Sequence, residues 1–185
     1  MMALKKVLTI AGSDTSAGAG MQADLKTFQE LDVYGMVALT SIVTMDKETW
    51  SHDVTPIDMN VFEKQLETAI SIGPDAIKTG MLGTQDIIKR AGDVFVESGA
   101  DYFVVDPVMV CKGEDEVLNP GNTEAMIQYL LPKATVVTPN LFEAGQLSGL
   151  GKLTSIEDMK KAAQVIYDKG TPHVLSLIHI SEPTR

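Results

Sequence analysis

The chain has 185 residues, 44% of them hydrophobic and 22% charged, with a formal charge of −10. That length is a prior for one domain with room for a real core, and the acidic balance argues against nucleic acid and anionic membrane as partners. A single cysteine, Cys111, excludes an internal disulfide and fits a reducing compartment, so a cytoplasmic location is expected.

The apolar run Val7 to Ala11, behind Lys5 and Lys6, is too short for a signal peptide. It reads as a buried first strand, and Met21 to Leu31 as a helix with Leu25, Phe28 and Leu31 on one face. Val37 to Thr44, rich in β-branched residues, is a second strand. Lys47 to Pro56 is polar and loop-like, with Trp50 and His52 exposed or packing. Val61 to Ile72 has helical spacing and stops at Gly73-Pro74. Ala76 to Thr79 is a short strand, followed by a helix from about Thr84. Tyr102 to Val105, Thr135 to Thr138 and His173 to Leu175 are further strands. Between them lie helices over Thr123 to Leu131, over Pro139 to Leu147, and from a capping box at Ser155 to Asp158 up to Lys169. Alternating β and α units of this kind imply a mostly parallel sheet covered by helices. No segment approaches a membrane span.

Leu8 to Asp24 is the most informative stretch. An apolar β-type run ends in Gly12-Ser13-Asp14, then Gly18-Ala19-Gly20 and Gln22-Ala23-Asp24 open a helical pattern. Backbone at glycines can approach a ligand, and amides at a helix N-terminus favour an anion or polar ring. The segment resembles the start of the hydroxymethylpyrimidine and pyridoxal kinases of the ribokinase-like superfamily. Val104 to Gly113 and Thr138-Pro139-Asn140-Leu141-Phe142-Glu143-Ala144 are similar to later motifs of the same family. The resemblance runs from about Leu4 to Leu175 and implies a three-layer α/β/α sandwich, incomplete at its C-terminus. It also implies ATP and Mg²⁺ as cofactors, a small-molecule substrate and a homodimer at full length.

Polar and glycine positions gather after successive strands, where ligands of open parallel sheets bind. Asp14 is the candidate reader of a substrate ring, since a carboxylate accepts from ring or amino donors; capping of the helix is the plainer role. Gly12 would let backbone touch the ring, with Met81 and Val108 as apolar walls. Asp24 is expected to stabilise the loop. The resemblance implies that Asn140 contacts ATP and that Glu143 supports magnesium through water, with Asp106 organising the metal and phosphate region. Capping by Asn140, with Glu143 as a solvated first-turn carboxylate, is the structural alternative. Cys111 packs or meets a bound substrate aldehyde.

Met45 departs from the pyrimidine-specific relatives, which carry Gln there. A Gln amide pairs with pyrimidine donors and acceptors, whereas Met offers a pliable apolar surface. The expectation is therefore phosphorylation of the hydroxymethyl group of pyridoxal or pyridoxine. The hydroxymethylpyrimidine or phosphomethylpyrimidine kinase reaction is the alternative, and a non-catalytic nucleotide- or vitamin-binding module the one from another class. A dinucleotide oxidoreductase fits poorly, because the first loop is not a clean Gly-x-Gly-x-x-Gly.

Residues 1–175 are read as one partial kinase domain. The last ten residues, Ser176 to Arg185, break the pattern and can be back-translated into adapter-like DNA, so they are expected to be a non-native tail, against a divergent native end. The family's Gly-x-Gly-Cys or Gly-x-Gly-Asp turn, which binds the transferring phosphoryl group and activates the hydroxyl, is absent from this sequence. The expectation is that no catalytic residue of that kind lies in this chain and that the chain alone is inactive.

Overall fold

A computed structural model describes residues 4–109 and 120–175. Strand β1 (Lys6–Asp14) leads through α1 (Gly20–Glu30) into β2 (Tyr34–Met45), which turns back as β3 (His52–Pro56). Then come α2 (Met59–Ile72), β4 (Ala76–Thr79), α3 (Gln85–Ser98) and β5 (Tyr102–Val105). The rest is α4 (Pro120–Tyr129), a 3₁₀ turn (Leu131–Lys133), β6 (Val136–Val137), α5 (Leu141–Ser148), α6 (Ile156–Asp168) and β7 (His173–Val174).

The strands form one sheet in the order β3-β2-β1-β4-β5-β6-β7, parallel throughout except for β3, which runs antiparallel to β2. Leu8, Thr9, Ile10 and Ala11 of β1 are all fully buried, as a central parallel strand with both faces covered requires. Helices α2 and α3 bury Phe62, Leu66 and Ala69, and Ile87, Ile88, Ala91 and Val94, at helical spacing. Phe95 of α3 stacks on Phe103 of β5 with ring centroids 4.8 Å apart.

The chain leaves β1 to one side for β2 and returns to its other side for β4. With right-handed crossovers this reversal puts α1 on one face and α2 to α6 on the other. It also makes the β1/β4 boundary the switch point, outside whose carboxyl ends ligands of such sheets bind. Helix α1 packs Leu25 and Phe28 over Gly35 of β2, and none of its residues is fully buried.

Three expectations need correction. Lys47 to Pro56 is not all loop, since His52–Pro56 pairs with Ser41–Met45 as an antiparallel edge strand. Its polar composition suits an edge, where proline is tolerated. Leu31 does not join Leu25 and Phe28 on a helix face; it is the C-cap of α1 and 67% exposed. Helix α5 starts at Leu141 with Asn140 as its cap, so Pro139 precedes the helix. Among the described residues no helix is long and apolar enough to cross a membrane. Residues 176–185, the expected tail, lie outside the described residues.

Candidate active site

The site is built at the carboxyl ends of β1, β2, β4, β5 and β6. The β1–α1 loop folds around its own carboxylate. Asp14 accepts hydrogen bonds from Ser16 N and Oγ at 2.9 Å, Gly18 N at 3.1 Å and Ala19 N at 2.9 Å. Burial alone would raise the Asp14 pKa, but these donors from Ser16, Ala19 and Gly18 outweigh it and hold the carboxyl below its usual range. The anion expected at the start of α1 is thus the protein's own. Asp14 organises the loop in this arrangement, and a ligand would reach its carboxylate only by displacing one of those donors.

Gln22 fixes the loop from the helix side, accepting from Asp14 N at 3.0 Å and donating to Ser13 Oγ at 2.7 Å. Gly20 has φ +60°, and a Cβ there would meet the Gly12 carbonyl oxygen at 2.5 Å. Both facts require glycine.

Gly12 abuts Ser41 and Met81. A Cβ on Gly12 would sit 2.7 Å from Ser41 Oγ and 3.9 Å from Met81 Cβ. Met81 is anchored by its carbonyl, which accepts from Thr40 Oγ1 at 2.6 Å. Ser41 Oγ approaches Met81 Sδ at 3.9 Å. Thr40 and Ser41, both almost wholly buried, were not evident as site residues from sequence. Hydroxyls flanked by Leu39 and Ile42 in a buried strand, needing partners there, were the available signal. Met45 ends β2, half-buried, two residues beyond the Val43 that pairs with Asp14.

Across the switch point lies a group of charges. Asp106 follows β5, its amide donating to the Thr79 carbonyl at 3.3 Å. Its carboxylate lies 3.7 Å from the Lys78 ammonium, which also holds Asp24 at 3.0 Å. Asp24 accepts from Thr9 Oγ1 at 2.6 Å. Asp24 therefore ties α1 to β1 and β4, in keeping with the loop-stabilising expectation.

Asn140 and Glu143 form a capping box at α5. Asn140 Oδ1 accepts from Glu143 N, and Glu143 Oε2 accepts from Asn140 N, each at 2.9 Å. Glu143 is not a solvated first-turn carboxylate, being only 4% exposed. Burial and the nearby Asp106 charge push its pKa up to about 7, against hydrogen bonds from the Asn140 and Met109 amides. Burial likewise raises Asp106, only partly offset by Lys78. Val108 donates its amide to the Asp106 carbonyl at 2.9 Å and is half-buried at the end of the described segment. Cys111 lies outside the described residues.

Among the described residues no group of three or more His, Cys, Asp or Glu could hold a metal ion. Asp106 and Glu143, two neighbouring carboxylates disfavoured by burial, suit instead a hard cation that arrives with most of its ligands. Magnesium on nucleotide phosphates, keeping several waters, is such a cation.

A mostly parallel sheet with its polar groups at the switch point, a glycine-built first loop and an acidic pair beyond β5 and β6 mark an α/β protein with a ligand site at the carboxyl edge of its sheet. Residues 14–181 match the phosphomethylpyrimidine kinase family, and the chain belongs to it. It is 99% identical over 174 residues to a Staphylococcus epidermidis protein provisionally named a pyridoxine kinase, covering 94% of this chain and 63% of that one. It is 41% identical over 175 residues to the hydroxymethylpyrimidine/phosphomethylpyrimidine kinase of Bacillus subtilis, covering 94% of this chain and 64% of that one. Among solved structures it superposes with a TM-score of 0.90 on the Staphylococcus aureus pyridoxal kinase in complex with AMP-PCP and pyridoxal. The two are 82% identical, over 95% of this chain and 62% of that one. The chain thus spans a little under two thirds of the length of these relatives.

Proposed function

We propose that the full-length protein transfers the γ-phosphoryl group of ATP to the hydroxymethyl group of pyridoxal or pyridoxine. One observation carries this reading: the 82% identity and close superposition on a pyridoxal kinase bound to both an ATP analogue and pyridoxal. Met45 agrees with it, because an apolar thioether suits a pyridine ring better than it pairs with pyrimidine amino groups.

In this reading Gly12 and the anchored Met81 shape one side of the ring site, with Val108 on another and the Asp14 loop closing its edge. Asn140 contacts the nucleotide through whatever hydrogen-bonding capacity its cap leaves free. Asp106 and Glu143 would hold a magnesium ion through its waters, and the ion would supply positive charge against the phosphates. The substrate oxygen bonds to the γ-phosphorus as the bond to the β-phosphate oxygen breaks and ADP leaves. The hydroxyl proton goes to a base on the family's C-terminal turn, which this sequence does not contain. Catalysis of this kind is positioning and charge stabilisation, so the 185 residues alone should not turn over. We place the full-length enzyme in the cytoplasm as a homodimer, on the strength of the low cysteine content and acidity of these 185 residues and the family resemblance.

The test joins residues 1–175 to the remaining third of the S. epidermidis relative, hereafter the extended chain. It is assayed with magnesium-ATP beside the 185-residue chain. Pyridoxal phosphate should form with the extended chain only. Nucleotide binding without product would support a binding module, and a kcat/KM favouring hydroxymethylpyrimidine would support the pyrimidine kinase that the 41% identical relative represents. Turnover by the 185-residue chain would show that the catalytic machinery has been misplaced.

A further inference from the structure

Lys78 is out of place for a lysine. It sits inside β4, in register between Thr9 of β1 and Val104 of β5, with its side chain only 22% exposed. Lysine is rarely buried without a partner, and here it has two: Asp24 at 3.0 Å and Asp106 at 3.7 Å. The two carboxylates are not equally dependent on it. Asp24 keeps its 2.6 Å hydrogen bond from Thr9 whether or not Lys78 is charged. Asp106 has no other side-chain partner among the described residues, and the charges around it beyond Lys78 are repulsive: it feels Asp24, and Glu143 feels its charge.

We infer that Lys78 is a positioning residue, whose ammonium orients the Asp106 carboxylate at the phosphate end of the site. The inference rests on the kinase reading above. Its asymmetry sets the expected effect. Removing the ammonium leaves both carboxylates without a counter-charge, but Asp24 retains the Thr9 hydroxyl that ties α1 to β1, whereas Asp106 retains no side-chain partner. Nucleotide binding should suffer, and binding of the vitamer should not.

The experiment uses the extended chain with Lys78→Met and Lys78→Arg, reading equilibrium binding of magnesium-ADP and of pyridoxal by calorimetry, with KM for each substrate beside kcat. Lys78→Met should weaken magnesium-ADP by about tenfold or more, as expected when one partner of a part-buried charge pair is removed. It should leave pyridoxal within about twofold, and Lys78→Arg should recover most of the loss. If Lys78→Met does not fold, Lys78→Gln, which keeps a polar head, is read the same way. Unchanged magnesium-ADP binding, or an equal loss for both ligands with a lowered Tm, would overturn the inference; the latter marks a role in folding only. An unmutated extended chain that binds magnesium-ADP without phosphorylating pyridoxal would refute the kinase reading, while its variants still decide the role of Lys78. No magnesium-ADP binding at all would overturn both.

Discussion

Glu143 offers the sharpest test of the site's electrostatics. It is 4% exposed, and its pKa stands at about 7 against the usual 4.5. The native state therefore binds this proton more tightly than the unfolded chain does. The stabilisation is complete below pH 4.5 and is lost as pH rises to about 7, where the buried carboxylate ionises. At about 1.4 kcal/mol for each tenfold change in proton affinity, the loss reaches about 3 kcal/mol. Glu143→Gln removes that dependence. The amide oxygen still accepts from the Asn140 amide, as glutamine does at this position of a capping box. In urea titrations of the extended chain without magnesium, the variant should match the parent near pH 4. It should exceed it by about 3 kcal/mol at pH 8, or roughly 6–12 °C in Tm. Comparing the two proteins cancels the opposing contribution of Asp14, whose pKa is lowered, and most of that of Asp106. A difference that stays constant between pH 5 and 8 would refute the argument, because it would mean Glu143 titrates alike in both states.

Three further outcomes are expected. Met45→Gln in the extended chain should move the kcat/KM ratio towards hydroxymethylpyrimidine by about 1–3 kcal/mol, the scale of one buried polar recognition; a ratio unchanged in side-by-side assays would remove Met45 from the site. Gly20→Ala should cost at least about 2 kcal/mol in urea unfolding, from the left-handed φ and the contact with Gly12 O. An alanine variant as stable as the parent would mean that the loop is built differently. Gly12→Ala, which drives a Cβ against buried Ser41 Oγ, should lower pyridoxal affinity more than magnesium-ADP affinity, and equal losses in calorimetry would detach Gly12 from the ring side.

Much of the architecture could be read from local pattern because its causes are local. The apolar run of β1, the stop at Gly73 and the box at Ser155 and Asp158 each act within a few residues, and all are present in the fold. The β3 strand was hidden for the opposite reason. His52, Asp53 and Thr55 read as loop, and only pairing with Ser41–Met45 gives them a strand's geometry. Leu31 fits the helical period, yet α1 has already ended there.

The candidate site divides along the same line. That Asp14, Met81, Asp106 and Asn140 follow successive strands is visible in the chain, because strand ends mark themselves with small and polar residues. What each side chain touches is not, since it depends on partners far away in sequence. The position of Asp14 shows in the sequence, but the three amides and the hydroxyl that the loop closes upon its carboxylate do not. The burial of Glu143, which rules out the solvated alternative, comes from packing that no helical period encodes. Lys78 showed nothing beyond a charge in a short strand, for Asp24 lies 54 residues away and meets it only because Thr9 and Lys78 share a register. Position is thus a local property and charge state a tertiary one. A chemistry that depends on where phosphate charge is neutralised is decided by the second.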